Sequence, residues 1–288
     1  MKNLFYLMAS ALLLWACQHS TTDTPLPDEG TATLSFDIIN YEQMSLDEVT
    51  RATEATALAH LDMAIYNASS HELVNSKQTE SGDDTYGKFS ATLPYGDYVF
   101  VFLGYDGSRK AVLDNPESIS FANDYVPNLF LKTVELNVSA ETAASQSISL
   151  KRRVAAFKLS SEGTIPQTLN KMACVMNGGG HHLNALTGLA STTEERTSIN
   201  TVASLAGKES MGISYYTFLP ADETTMNFTV TATDQAGEVI RSRQFTNVPM
   251  KINQRTTYRG NFFAQDQYTQ AFTLQLETDE WNEQEYNY

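Results

Sequence analysis

Few residues in this chain have the type and setting for chemistry, and Cys17 leads them. It follows Leu14-Trp15-Ala16 at the end of a short apolar run that begins after a single cation, Lys2. A positive start, an apolar stretch and a small residue before the cut make a secretory signal. The run is shorter than the ~20 residues of a membrane-spanning helix. A cysteine at this point reads as a bacterial lipoprotein site. The thiol is acylated, the preceding peptide bond is cut, and Cys17 becomes a lipid-bearing N-terminus. Acyl chains gain about 0.8 kcal/mol per buried CH₂, so several of them hold firmly. The expected location is a membrane surface outside the cytoplasm.

A second chemical feature is the Arg51-Ala52 bond, inside the polar stretch Ser45-Leu-Asp-Glu-Val-Thr-Arg-Ala-Thr-Glu54. By default Arg51 is a surface arginine. Its position has a consequence, because cutting there would free the first predicted strand from the body. The vacated groove would expose apolar side chains and unpaired backbone groups, which a strand of another chain can complete.

Catalytic constellations find little support. The five histidines are His19, His60, His71, His181 and His182. His60, between Ala59 and Leu61, reads as a satisfied strand residue. His181 and His182 follow Gly178-Gly179-Gly180; on a strand, neighbours point to opposite faces and chelate poorly. The glycine run lacks the Gly-Lys-Ser/Thr of a P-loop and reads as a turn. Cys174, in Met172-Ala-Cys-Val-Met176, reads as a buried, inert thiol. Asp83-Asp84 near Glu80 lacks the oxygen spacing of a calcium loop and reads as a solvated turn. No enzyme, metal site or cofactor is expected. Trp281 sits in an acidic C-terminal segment and is expected to pack over the end of the fold.

The elements that must position Cys17 and Arg51 are strands. Residues 1–16 are read as the signal peptide and 17–30, rich in Ser, Thr, Pro and Asp, as a flexible tether. Ala32-Thr-Leu34-Ser-Phe36-Asp-Ile38 alternates apolar and polar, as a half-buried strand does. Leu61, Met63 and Ile65 repeat the pattern. Tyr98-Val-Phe-Val-Phe-Leu103 is apolar on both faces and predicts a strand covered on both sides. Further strands are predicted at Phe89–Leu93, Val134–Val138, Ser147–Leu150, Val154–Leu159, Lys171–Met176, Ile213–Leu219, Phe228–Ala232, Val239–Phe245, Thr256–Phe263 and Phe272–Leu276. Asp234-Gln-Ala-Gly237 predicts a hairpin turn. Ser45–Ala59 and Thr192–Leu205 are the places for short helical turns. Many short strands with turn signals predict an all-β chain of two sandwiches, 31–150 and 151–288.

The 288 residues carry 34 acidic and 19 basic side chains, a formal charge of −15. That excess argues against nucleic acid and anionic lipid as partners, since both reward clustered Lys and Arg. Cys174 is the only cysteine besides Cys17, so no intramolecular disulfide is expected in the mature chain.

The order of these segments resembles the fimbrillin superfamily of lipoprotein-derived pili. It runs from the signal and tether through Thr31–Phe36 and Arg51-Ala52 to Leu61–Asn67. Pro94-Tyr-Gly-Asp-Tyr-Val-Phe-Val-Phe102, Leu150-Lys-Arg-Arg-Val-Ala-Ala-Phe157, Tyr216-Thr-Phe-Leu-Pro220 and Asn253-Gln-Arg-Thr-Thr-Tyr-Arg-Gly260 are similar to segments of the branch that holds fimbrial anchor subunits. The resemblance implies two tandem transthyretin-like β-sandwiches and a non-enzymatic role in anchoring or assembling surface fimbriae for adhesion. It implies other fimbrial subunits as partners, surface ligands of host or bacterial cells, and the cell outer membrane and fimbrium as location. Stalk subunits of such families lose their first strand to an arginine-specific protease, and Arg51 occupies the corresponding position. Anchor subunits keep lipid and strand. Leu34, Phe36 and Ile38 are then expected to fill the N-terminal groove when no partner does. The alternatives are a stalk or tip subunit matured after Arg51, or a glycan-binding surface lipoprotein. Trp281, Tyr286 and Tyr288 gathered on one surface would favour the latter.

Overall fold

The computed structural model describes residues 30–41, 58–264, 273–278 and 282–285. In chain order, β1 (Thr31–Tyr41), β2 (His60–Asn67), β3 (Leu73–Glu80), β4 (Lys88–Pro94) and β5 (Gly96–Tyr105) come first. They are followed by β6 (Ala111–Val112), β7 (Ser120–Phe121), β8 (Leu129–Val138) and β9 (Ser145–Arg152). Next come β10 (Ala155–Glu162), β11 (Lys171–Asn177), β12 (Leu183–Asn184), β13 (Leu189–Ala190), β14 (Arg196–Thr201) and β15 (Ser210–Thr217). The last are β16 (Glu223–Thr233), β17 (Val239–Lys251), β18 (Gln254–Gly260), β19 (Thr273–Thr278) and β20 (Asn282–Glu285). Among the described residues the only helical pieces are 3-10 turns at Ala122–Asp124 and Ala203–Leu205. The chain is an all-β sandwich fold.

The short helical turn expected within Thr192–Leu205 is Ala203–Leu205, while Arg196–Thr201 before it is an edge strand paired with β11. The alternating β-branched residues Thr197, Ile199 and Thr201 explain it, since their stiff side chains suit a pleated surface better than a helix. The other such segment, Ser45–Ala59, lies outside the described residues over 45–57.

The first sheet runs β3-β2-β5-β8-β9-β1-β4. Its β8–β9 junction is short, with only Phe130↔Arg152 and Leu131↔Lys151 paired. The sheet therefore turns over there, and β4-β1-β9 covers β3-β2-β5-β8. Between the layers lie Leu34 and Phe36 from β1, Met63 and Ile65 from β2, Phe89 and Leu93 from β4, Phe100 and Phe102 from β5, and Ile148 and Leu150 from β9. The second half repeats this layout. In it β15-β10-β18 forms one layer and β14-β11-β16-β17 the other, with β19 and β20 added beyond β18. Phe157 of β10 stacks on Phe228 of β16 at 4.2 Å between ring centres and anchors that second core. In both halves the first strand lies antiparallel to one neighbour and parallel to a later strand of the same half: β1 to β4 and β9, β10 to β15 and β18.

A third core joins the halves. Tyr98, Phe100 and Phe102 of β5 face the first sandwich, while Val99, Val101, Leu103 and Tyr105 face the other way. The second set packs on Leu113, Ile119 and Phe121 of the β5–β8 connection, and on Leu183, Ala185 and Phe218 from the second half. This burial on both faces accounts for the continuous apolar run in the sequence. Ile119 and Leu183 exchange backbone hydrogen bonds of 2.8 Å across the junction. Arg152, at the end of β9, donates from Nε to Asn128 (2.9 Å) and from Nη1 to Asn253 (3.0 Å), tying both halves to one guanidinium.

The Gly178-Gly179-Gly180 run has a steric cause. Gly178 adopts φ +104°, which favours glycine. A Cβ on Gly180 would overlap the Thr192 carbonyl oxygen, while Gly180 itself pairs with Phe218. Gly180→Ala is therefore expected to cost about 1–3 kcal/mol, as overpacking against backbone does. A lowered urea midpoint checks this.

Candidate functional site

The strand that the sequence set apart, β1, occupies a slot. Ala32 and Ile38 are half-buried, Leu34 and Phe36 are each 1 % exposed, and Thr31, Thr33 and Asp37 face solvent. The alternation places one apolar row inward. Phe36 meets Phe100 at 5.0 Å and Phe102 at 5.1 Å between ring centres. On one side the antiparallel ladder to β4 runs from Thr31↔Pro94 to Asp37↔Lys88. On the other side Ser35–Ile38 lie parallel to Ser145–Ile148 of β9. Ser35 N–H donates to Ala144 O (2.8 Å), and Ile38 N–H donates to Gly87 O (2.9 Å). Thr33 and Thr92 hydroxyls meet at 2.8 Å on the outer face. The β9 ladder slips between Ile38 and Asn40, and Ile39 there is 68 % exposed.

The two equivalent first strands differ in attachment. Only Arg153 and Val154 separate β10 from β9, whereas β1 joins β2 through residues 42–59, which include Arg51 and Ala52. A cut in that connection would sever β1 from the body, while no such connection precedes β10. Cys17, Arg51, Ala52, Trp281, Tyr286 and Tyr288 lie outside the described residues.

The other polar candidates have structural surroundings. His60 Nε2 lies 2.9 Å from Gly107 O, and the ring stacks on Tyr105 at 4.8 Å. Beside it, Asp62 is fully buried; its Oδ2 accepts from Tyr105 Oη (2.7 Å) and Gln78 Nε2 (2.9 Å). Its Oδ1 has no hydrogen-bond partner. Burial raises the Asp62 pKa, against the pull of the Tyr105 and Gln78 bonds and of His60. A carboxyl raised on folding binds its proton more tightly when folded. The cost of its charge is thus present above the folded pKa and relieved as pH falls toward about 3.9. Asp62→Asn is expected to flatten this gain in stability on acidification, and urea midpoints across that range check it.

Cys174 is fully buried, and desolvation pushes its thiol well above the usual range, so the thiolate that reacts is not populated at neutral pH. Asp83 Oδ2 caps its own turn by accepting from Glu80 N–H (2.8 Å), and Glu80 pairs with Lys110 at 2.8 Å.

His181 and His182 correct the expectation of opposite faces. They lie in a bend after Gly180 rather than on a strand, with ring centres 4.4 Å apart in an edge-to-face contact. His181 is buried between two carboxylates, with Nε2 3.2 Å from Asp124 and Nδ1 3.2 Å from Glu194. Burial lowers its pKa, and both carboxylates oppose that. His182 Nδ1 lies 2.8 Å from Ser118 Oγ. Asp124 and Ser118 come from the first half, so this pair sits on the junction. Single-sequence reading misses this, because contacts separated by 50 or more positions leave no local spacing.

The comparisons with known proteins agree with a shared fold. A candidate adhesin from Bacteroides ovatus aligns with a TM-score of 0.52 at 12 % identity, over 76 % of this chain and 84 % of its own. Another candidate adhesin structure from that species gives 0.51 at 11 % identity, over 92 % and 98 %. The structural neighbours also include the fimbrial anchor protein Mfa2 from Porphyromonas gingivalis, with a TM-score of 0.40 at 11 % identity over 89 % and 100 %. No curated protein matches the sequence. A family model described as a family of unknown function, DUF6562, matches residues 112–287, more than half of the chain, and the chain therefore belongs to that family.

Proposed function

We propose that this chain is a non-enzymatic fimbrial subunit of the cell surface, anchor-like, held to the outer membrane by lipid on Cys17. It joins a neighbouring subunit by strand complementation. The reading divides the chain into signal 1–16, tether 17–30 and sandwiches 31–150 and 151–288. The observation that carries it is β1, seated between β4 and β9 with Leu34 and Phe36 in the core, yet tied to the body only through the connection that includes Arg51. The fold shared with candidate adhesins supports a surface role.

In an anchor the Arg51-Ala52 bond stays intact. Lipid and β1 remain with the body, Leu34, Phe36 and Ile38 fill the slot, and the subunit is the fixed base of a fibre. The test is N-terminal mass analysis of the protein taken from cells. An acylated Cys17 is the expected result. An N-terminus at Ala52 would make the chain a stalk or tip link instead. An unmodified N-terminus near the signal would overturn lipid anchoring altogether.

A further inference from the structure

A cleft of about 470 Å³ opens at the junction of the two halves. Arg109, Asp124 and Tyr125 come to it from the first half, and Arg196, Asn200 and Tyr215 from the second. Its size falls in the range of about 300–1,000 Å³ usual for small-ligand sites, which favour such boundaries.

The charges in it are unusual for so acidic a chain. Arg196 is 8 % exposed. Its Nη1 donates to Asp124 O (2.7 Å), and its Nη2 donates to Tyr216 O and lies 3.5 Å from Met176 Sδ. These partners are carbonyls and a thioether, none of them anionic. Asp124 gives Arg196 its backbone and turns its carboxylate to His181 instead. Arg109 lies over the Tyr125 ring at 4.7 Å. Among the described residues neither arginine has a carboxylate within 4 Å. Burial lowers the Arg196 pKa to about 10, so it stays charged at neutral pH. Asp124 favours that charge from a distance but does not touch the guanidinium; a buried cation with no carboxylate in contact is costly, and a bound anion offsets that cost.

The remaining wall selects the kind of anion. The buried Tyr215 hydroxyl has no hydrogen bond of ordinary geometry, although Asn200 faces it. Asn200 beside it both donates and accepts, as sugar hydroxyls require. We propose that the junction cleft binds a carboxylate-bearing sugar of the uronic acid class, with its carboxylate at Arg109 and Arg196 and its hydroxyls at Asn200 and Tyr215. This site needs neither the lipid nor β1, so its failure would leave the fimbrial reading untouched, and the reverse holds too.

The test is calorimetric titration of the intact protein with a galacturonic acid trimer, using the galactose trimer as the neutral control. The acidic trimer is expected to bind at least about tenfold more tightly, since a charge-assisted hydrogen bond contributes about 1.5–3 kcal/mol. Arg109→Gln is expected to remove about that factor with no change in the thermal midpoint. If that midpoint falls, Asn200→Ala tests the opposite wall by the same readout. Equal binding of the two trimers, no binding at millimolar sugar, or binding unaffected by both substitutions would overturn the site. Tighter binding of a short glutamate peptide than of the acidic trimer would overturn the sugar assignment.

Discussion

Replacing Phe36 with alanine is expected to cost about 3–5 kcal/mol, the range for emptying a buried aromatic site. The ring is 1 % exposed and touches Phe100 and Phe102 from the facing layer. Those two belong to β5, whose other face packs the junction core, so the hole cannot close by moving the strand. A loss of this size is a large part of the 5–15 kcal/mol that holds a domain together. Urea unfolding should show the drop in midpoint. Thr33→Ala, three positions away and facing solvent, loses one exposed hydroxyl contact and should stay within about 0.5 kcal/mol. The contrast checks the strand's register. A one-residue slip would turn Phe36 outward and make its substitution harmless.

That register was legible because β1 carries a clean alternation with one face in water. The continuous apolar run of β5 was legible for the opposite reason, since both of its faces are covered. β3 was not legible: Leu73–Glu80 is exposed at nearly every position, and as an edge strand it is defined by its ladder to β2 rather than by burial. β14 was not legible as a strand because its hydroxyl-rich sequence has no fully buried row beyond Arg196. The slot was half legible. Its filler, Leu34, Phe36 and Ile38, is local in sequence. Its walls come from β4 and β9, about 55 and 110 positions away, and only the folded topology brings them to either side of β1. The junction was invisible for the same reason. Arg109, Arg196 and His181 belong to no motif, and a lone arginine or histidine has no spacing to read.

The repeated topology gives the slot a meaning beyond one strand. Each half has a first strand inserted between an antiparallel and a parallel neighbour, so each sandwich is complete only with that strand in place. In the second half, β10 continues almost directly from β9 and its place is never open. In the first half, the same structural role falls to a segment held by a polar connection. The physics of completing the sheet is equal in the two halves, and the covalent attachment is not. Under the strand complementation proposed above, exchange would fall at β1, where a strand can be replaced without breaking the fold's path.

A chain beginning at Ala52 is the sharpest probe of that asymmetry. It lacks the inward row of β1 and both ladders, from Thr31↔Pro94 onward on β4 and from Ser35↔Ser145 onward on β9. Losing Phe36 alone is set at about 3–5 kcal/mol. Losing Leu34 and a strand's backbone pairing as well exceeds what a marginal domain can bear. The first sandwich of this form is expected to be unfolded or to take a strand from another copy, which gel filtration would reveal as concentration-dependent oligomers. Adding a synthetic peptide of residues 31–41 should restore a monomer with protected β4 and β9 amides, because an incoming strand supplies the same side chains and hydrogen bonds. A peptide carrying Phe36→Ala should bind about 10²- to 4 × 10³-fold more weakly, the equivalent of its stability cost. If the shortened chain stays monomeric and fully protected in hydrogen exchange without peptide, β1 is dispensable and the slot cannot be where subunits join.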